Sequence, residues 1–300
     1  FSTALVNGIT TRKKGWEATL TGNPIRTKSG FSWDVLVNWS TFKETLTSIY
    51  PGVDVLNVFY KVGDRIDKIY GSAFVRTPDG QLINDAGGRP LRTPRPQYLG
   101  TANPDWVWAI NNTFRYKGFN LGFQFDGRVG GSMVNYVQQQ TFRGGRHVAT
   151  IEGKMGEARY QDYLGNKAWL GDGVVVSNGV PIVYDADGKV TNYKDLQYAD
   201  NTTKTYLQDY ISFYYNTNEA NLIEKTFAKL REVVVGYSFP PDMLSKTFIR
   251  QASISFVGRN LFYFSKFKDV DIDQYAGGNS SSGLQTPTTK RYGVNINLTF

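Results

Sequence analysis

Three hundred residues with 15% aromatics and 31 glycines suffice for one large β domain or two smaller ones, and the absence of cysteine excludes a disulfide framework and a thiolate metal site. A mean hydropathy of −0.38 and the lack of any run of 18 apolar residues exclude a helical membrane span, though not a β-barrel, half of whose strand residues are polar. The formal charge of +8 suits an anionic surface such as a phosphorylated glycolipid; nucleic acid would be drawn equally, but no clustered basic stripe supports it.

Phe1 begins the chain without an initiator Met, a charged leader or a cleavage site, so no targeting segment is expected in it, and residues 1–7 read as the stub of a strand. Trp16, Ala18 and Leu20 alternate with polar neighbours, and Asn23-Pro24 with Lys28-Ser29-Gly30 mark a short turn. Phe31, Trp33, Val35, Val37 and Trp39 share the face of the next strand. Residues 45–104 are irregular, with Pro78-Asp79-Gly80 as a hairpin turn and Arg92 to Pro96 as an extended connector. Trp106, Trp108, Ile110, Phe114 and Tyr116 then alternate, Lys117-Gly118 reverses the chain, and Phe119, Leu121, Phe123 and Phe125 follow. Residues 129–226 lack clear alternation; Met133 to Gln140 suggest a short helix and Asp185-Ala186-Asp187-Gly188 a hairpin turn. Strands return at 229–239 and 248–262, joined through Pro240-Pro241-Asp242. The last strand separates Tyr292, Val294, Ile296, Leu298 and Phe300 completely from Gly293, Asn295, Asn297 and Thr299.

Links of two lengths alternate along this chain: short ones at 23–30, 117–118 and 240–246, long ones at 45–104, 129–226 and 265–288. An up-and-down meander therefore puts every short link at one end and every long one at the other. A transmembrane barrel has that asymmetry, whereas a soluble sandwich has no reason to sort its loops by length. Trp39, Trp106, Tyr116, Phe119, Tyr237 and Phe239 are the expected interfacial aromatics. The predicted fold is all-β: an antiparallel up-and-down transmembrane β-barrel contributing about seven strands. The competing reading is a secreted β-sandwich that binds carbohydrate or acts as an adhesin.

Gly15-Trp16-Glu17, Asn103-Pro104-Asp105-Trp106, Lys229-Leu230-Arg231-Glu232 running to Gly236-Tyr237-Ser238-Phe239-Pro240, Gly258-Arg259-Asn260-Leu261-Phe262 and the terminal Phe300 occur in an order that resembles the C-terminal barrel portion of SusC/RagA-type TonB-dependent outer-membrane transporters. The chain departs from that pattern after Phe262, where Asp269-Val270-Asp271-Ile272-Asp273 stands in place of an Asp-Pro-Glu. The resemblance implies that residues 1–300 are part of a larger plugged barrel of the bacterial outer membrane, whose plug and TonB box are not in this chain. Its implied partners are the earlier barrel strands and the plug, TonB acting through the N-terminal region, a SusD-like surface lipoprotein and outer-membrane lipid. The implied work is nutrient import, of glycan or oligopeptide.

An enzyme reading finds little to hold. His147 is the only histidine, in a glycine-rich stretch, and Asp185 with Asp187 forms a turn signature before it forms a cation site. Asp269, Asp271 and Asp273 read as a solvated acidic loop, and no cofactor or metal is expected. Binding chemistry is instead expected in the aromatic-rich 129–226 segment, at Trp169, Tyr206, Tyr210, Tyr214 and Tyr215. Tyr292, Val294, Ile296, Leu298 and Phe300 resemble the terminal signal for barrel assembly.

Overall fold

The computed structural model describes residues 7–56, 59–275, 281–284, 286 and 288–300. The strand stub expected at 1–7 lies outside them apart from Asn7. Seven strands form one antiparallel sheet: β1 (Ile9–Arg26), β2 (Ser32–Ile49), β3 (Trp106–Tyr116), β4 (Phe119–Val129), β5 (Phe227–Ser238), β6 (Gln251–Ser265) and β7 (Arg291–Thr299). Their order in the sheet is their order in the chain, a pure meander. Among the described residues no helix is long and apolar enough to cross a membrane.

The ladder aligns the alternation of all seven strands into two faces. Tyr116, Phe119, Tyr237, Ile254 and Ile296 stand side by side, as do Trp33, Phe114, Leu121, Val235, Phe256 and Val294. The same register puts Ser32, Arg115, Asn120, Gly236, Ser255 and Asn295 together on the other face. Among the described residues nothing covers the apolar face: Phe256, Val294 and Ile296 are each 58–60% exposed. A sandwich would bury that face under a second sheet; this single layer presents it to lipid.

From Tyr116 to Trp106 is about 34 Å along β3, which a tilt near 40° shortens to about 26 Å, the height of a barrel's apolar band. Tyr116, Phe119, Tyr237 and Phe239 mark one border, with Phe119 and Tyr237 4.6 Å apart and Tyr237 and Phe239 5.2 Å apart. Trp16 and Trp106 mark the other. A polar side chain, Asn112, interrupts the apolar face, its Oδ1 accepting the indole N–H of Trp33 at 3.1 Å.

The short links differ from their predicted form at Asn23-Pro24 and after Pro240, where Pro241–Leu244 is a one-turn helix and the next strand begins at Gln251. Lys117 and Gly118 both have positive φ (46° and 86°), as a two-residue hairpin of matching twist requires. Asn23-Pro24, however, is not a turn. The ladder shifts between Gly22 and Ile25, so the proline sits at a bulge in an edge strand of the described sheet, where its missing N–H costs least, and the chain reverses at Thr27 to Phe31. Beyond the Trp16 border β1 and β2 continue as a two-stranded ribbon to Ile9 and Ile49. Their alternation fades there because both faces leave the hydrocarbon.

The long segments all leave from the opposite end and pack on one another. Segment 130–226 is not featureless: it holds α1 (Tyr136–Arg143), α2 (Gly153–Tyr163) and α3 (Leu207–Tyr214), and the strand Ser132–Val134 occupies the start of the helix expected from Met133. Its base is closed where that strand pairs with Leu222–Glu224. The buried apolar clusters lie in these segments or where they meet the sheet, so the molecule's core is its cap, while the sheet keeps its apolar side outward.

Candidate functional site

The cap is held by contacts between segments. Ser72 and Asn218 exchange hydrogen bonds of 2.8–3.1 Å, Glu219 accepts from the Phe74 backbone and the Arg76 guanidinium at 2.7 Å, and Arg92 donates to Thr217 at 2.8 Å. The third segment joins through Asn135, which donates to Asp269 at 3.1 Å, and through Ser282, whose hydroxyl accepts from the Tyr136 N–H at 2.8 Å.

α3 explains where the expected aromatics go. Its first two N–H groups have no side-chain cap of their own and donate to the Asp162 carboxylate at 3.0 and 2.9 Å, which fixes α3 against α2. Leu207, Tyr210, Ile211 and Tyr214 fall on one helical face and pack against Met155, Ala158 and Trp169. Rings then run in a chain, Trp169 to Tyr210 (5.7 Å), Tyr210 to Tyr214 (5.8 Å), Tyr214 to Tyr215 (5.1 Å) and Tyr215 to Phe142 (3.9 Å). Burial raises the Tyr215 hydroxyl pKa to about 12 and pushes that of Tyr210 up as well, so both stay neutral.

Of the five expected binding residues, Tyr210 is buried and can offer no ring face to a ligand. Tyr214 and Tyr215 are half-buried inside the stack. Tyr206 is half-buried, its hydroxyl donating to Gly165 at 3.1 Å. Trp169 alone borders open space, a surface concavity of about 600 Å³ with Lys154, Glu157, Asp172 and Asn201 around it. Its indole nitrogen is buried without a partner among the described residues. On α2, by contrast, Tyr160 is 57% exposed and Tyr163 84%. Sequence reasoning missed a second aromatic group in segment 50–105, where Phe59 stacks on Tyr70 at 4.6 Å and Tyr70 meets Tyr98 at 6.0 Å; its signal is five rings, Phe59, Tyr60, Tyr70, Phe74 and Tyr98, within forty residues.

A charged cluster ties the cap to the polar wall. The ladder is irregular between Leu230 and Glu232, and the Arg231 guanidinium there donates to Asp126 at 2.8 and 2.5 Å and to Asp273 at 2.6 and 3.1 Å. Lys229, 2% exposed, reaches Asp273 at 3.1 Å and Asp271 at 3.4 Å. Burial pushes the Asp273 carboxyl pKa up, but the hydrogen bonds and charge of Arg231 and Lys229 outweigh it and hold it below the ordinary carboxylate value. The expected solvated acidic loop is therefore an ion-paired anchor. Asp185 likewise spends a carboxylate oxygen on the N–H groups of Asp187 and Lys189 at 2.9 and 2.8 Å, the turn reading. His147 caps the short helix at Val148, accepting from Ala149 at 3.2 Å, and stacks on Phe142 at 4.0 Å. Among the described residues no group of three or more His, Cys, Asp or Glu side chains could hold a metal ion.

No family model matches the sequence. Two curated proteins of Formosa agariphila do: TonB-dependent receptor P3, 20% identical over 96% of this chain, and TonB-dependent receptor P26, 22% identical over 99%. This chain covers 28% and 30% of their lengths, so it spans under a third of the relatives it matches. Among solved structures, the RagAB peptide transporter superposes on 98% of the chain with a TM-score of 0.61 at 18% identity. The RagAB importer in its closed-closed state gives 0.63 and in its open-open state 0.62, each at 18% identity and over about 30% of the longer chain. Over nearly all its residues the chain is thus similar to the barrel portion of SusC/RagA-type TonB-dependent receptors, and it carries the transmembrane β-barrel fold of that portion.

Proposed function

We propose that this chain is wall and outer loops of an outer-membrane, TonB-dependent importer of oligomeric nutrients, glycan or oligopeptide. The observation that carries the reading is a single-layer sheet, apolar on one side and polar on the other, whose long segments interlock at one end only. The plug and the earlier strands would lie elsewhere in the protein, closing the two open edges of the sheet and blocking the lumen until TonB acts. The cap would be external and would meet substrate and a SusD-type surface lipoprotein through Tyr160, Tyr163 and the cleft beside Trp169. The outward series Tyr292, Val294, Ile296, Leu298 and Phe300 would serve as the assembly signal.

Protease treatment of whole cells tests the orientation. Cleavage after the exposed Lys189 or Lys204 is expected on intact cells; cleavage only after the outer membrane is broken would put the cap on the periplasmic side. Uptake of labelled oligomers by cells carrying Tyr160→Ala with Tyr163→Ala tests the site, with reduced uptake expected at unchanged surface protein.

A further inference from the structure

The ribbon beyond the Trp16 border carries a charge arrangement that no ion pair among the described residues accounts for. Between Thr11 and Gly22 the β1–β2 register is unbroken, so Arg12, Lys14, Trp16, Ala18 and Leu20 share one face, with Thr45, Lys43, Thr41, Trp39 and Val37 beside them. Trp16 and Leu20 are 77% and 67% exposed and mark this face as the lipid side. Lys14 lies about 7 Å further along the strand than Trp16, and Arg12 about 14 Å, just outside the hydrocarbon border.

Lys14 and Lys43 are directly opposite one another. Like charges in that position destabilise a sheet. None of Arg12, Lys14 and Lys43 forms a salt bridge among the described residues. The nearby carboxylates, Glu17 and Glu44, belong to the other face, and Glu44 already accepts from Thr11 at 2.7 Å. Lys13 also belongs there, its amine 3.8 Å from the Phe42 ring. A concavity of about 700 Å³ at this level of the ribbon is lined by the three cations with Trp16, Thr41 and Thr45, and around the strand by Lys13, Gly15 and Phe42. The sequence alone does not display this cluster as a stripe, because Lys43 joins it only through the ladder.

We propose that this groove binds the net anionic, phosphorylated headgroup of a membrane lipid, with the phosphate between Lys14, Lys43 and Arg12 and the acyl chains lying down over Trp16, Leu20, Val37 and Trp39. An anion there removes the Lys14–Lys43 repulsion, and the apolar strip directly below selects a lipid over a free anion. The site rests on the sheet being a membrane wall; which leaflet it addresses follows from the orientation proposed above, and the binding test does not depend on it.

The test uses the full-length protein purified in a non-ionic detergent and titrated with bisphosphorylated lipid A, with phosphatidylcholine and inorganic phosphate as comparison ligands, read by native mass spectrometry. The triple substitution Arg12→Gln, Lys14→Gln, Lys43→Gln is expected to weaken lipid A binding tenfold or more while the protein keeps its heat-dependent gel shift, and Lys28→Gln, exposed at the far end of β1, to change it less than twofold. Equal binding by the triple variant, equal binding of phosphatidylcholine, or full displacement of lipid A by millimolar phosphate would each overturn the proposal. If the triple variant does not fold, Lys43→Thr decides. It should raise the melting temperature without lipid, by relieving the repulsion, and lower it relative to the parent when lipid A is present; a shift of the same sign in both conditions overturns the assignment.

Discussion

Trp33 on β2 donates its indole N–H to Asn112 on β3 at 3.1 Å, satisfying a polar side chain on the face that meets lipid. An unpartnered amide in hydrocarbon is costly. Trp33→Phe keeps the ring and removes the donor, and should destabilise the barrel by about 1–3 kcal/mol. Asn112→Val in the same background should recover most of that loss. Heat-dependent gel mobility of the parent, both single variants and the double variant measures the coupling; additive effects would show that the bond contributes nothing.

Arg231 anchors the third long segment to the wall through Asp273. Because the pair is only partly buried, Arg231→Gln should cost on the order of 2 kcal/mol, less than a fully buried pair. The effect should concentrate on residues 266–275, so trypsin is expected to cut after the exposed Lys266 and Lys268 faster in the variant. Unchanged cleavage there would mean the segment is held by its apolar contacts to Met133 and Phe227 alone.

The same anchor should respond to acid. The folded Asp273 pKa lies below its ordinary value, so its contribution is complete at pH values above the unfolded carboxylate range, near 4, and is lost as pH falls through the depressed folded pKa. Hydrogen exchange across 266–275 should rise below about pH 4 in the parent. Asp273→Asn should exchange fast at neutral pH already and show a flatter acid response.

Depth within the bilayer should grade the effect of charge. Val233 lies between the two aromatic borders on the apolar face, and Val233→Arg should cost about 2–4 kcal/mol. Ile296 is level with Phe119 and Tyr237 at the border, so Ile296→Arg should cost about 0–1 kcal/mol. Val234→Arg and Asn297→Arg point to the polar side and should be milder than Val233→Arg. Assembly yields measured side by side would expose a wrongly assigned face.

Gly127 stands opposite Trp108, and a Cβ there would come 3.0 Å from the indole ring and 2.3 Å from the Phe227 carbonyl oxygen. Gly127→Val should therefore prevent β4 from pairing with both neighbours and abolish assembly; a folded variant with normal gel mobility would mean the ring can move aside at small cost.

What the sequence displays plainly is whatever a strand boundary or an apolar face requires locally. The seven strands, the Lys117-Gly118 reversal and the sorting of links by length all follow from period-two alternation and turn chemistry. The outer halves of β1 and β2 escape that reading, since neither face at Arg12 to Lys14 or Lys43 to Thr45 is apolar. Asn23-Pro24 looks like a turn because the same residues serve turns and bulges, and only the ladder distinguishes them. The α3 aromatics look like a binding surface because residue type does not reveal which rings are turned inward by Asp162 and Ala158. The Arg231–Asp273 anchor joins residues 42 positions apart and has no local signature.

The bonds that lock the cap connect residues as far apart as Ser72 and Asn218, or Tyr136 and Ser282, each 146 positions apart. Closing loops of that length in an unstructured chain carries an entropic cost before any contact is gained. Hairpin zippering removes most of it, because β1 to β7 bring the roots of the three long segments to one end of the sheet. The order of events is then imposed by geometry: the meander forms while its loops are still open, and the cap closes last. A kinetic intermediate with a paired sheet and a protease-sensitive cap follows from that order, and the time the cap spends open during insertion sets how long its apolar clusters face water.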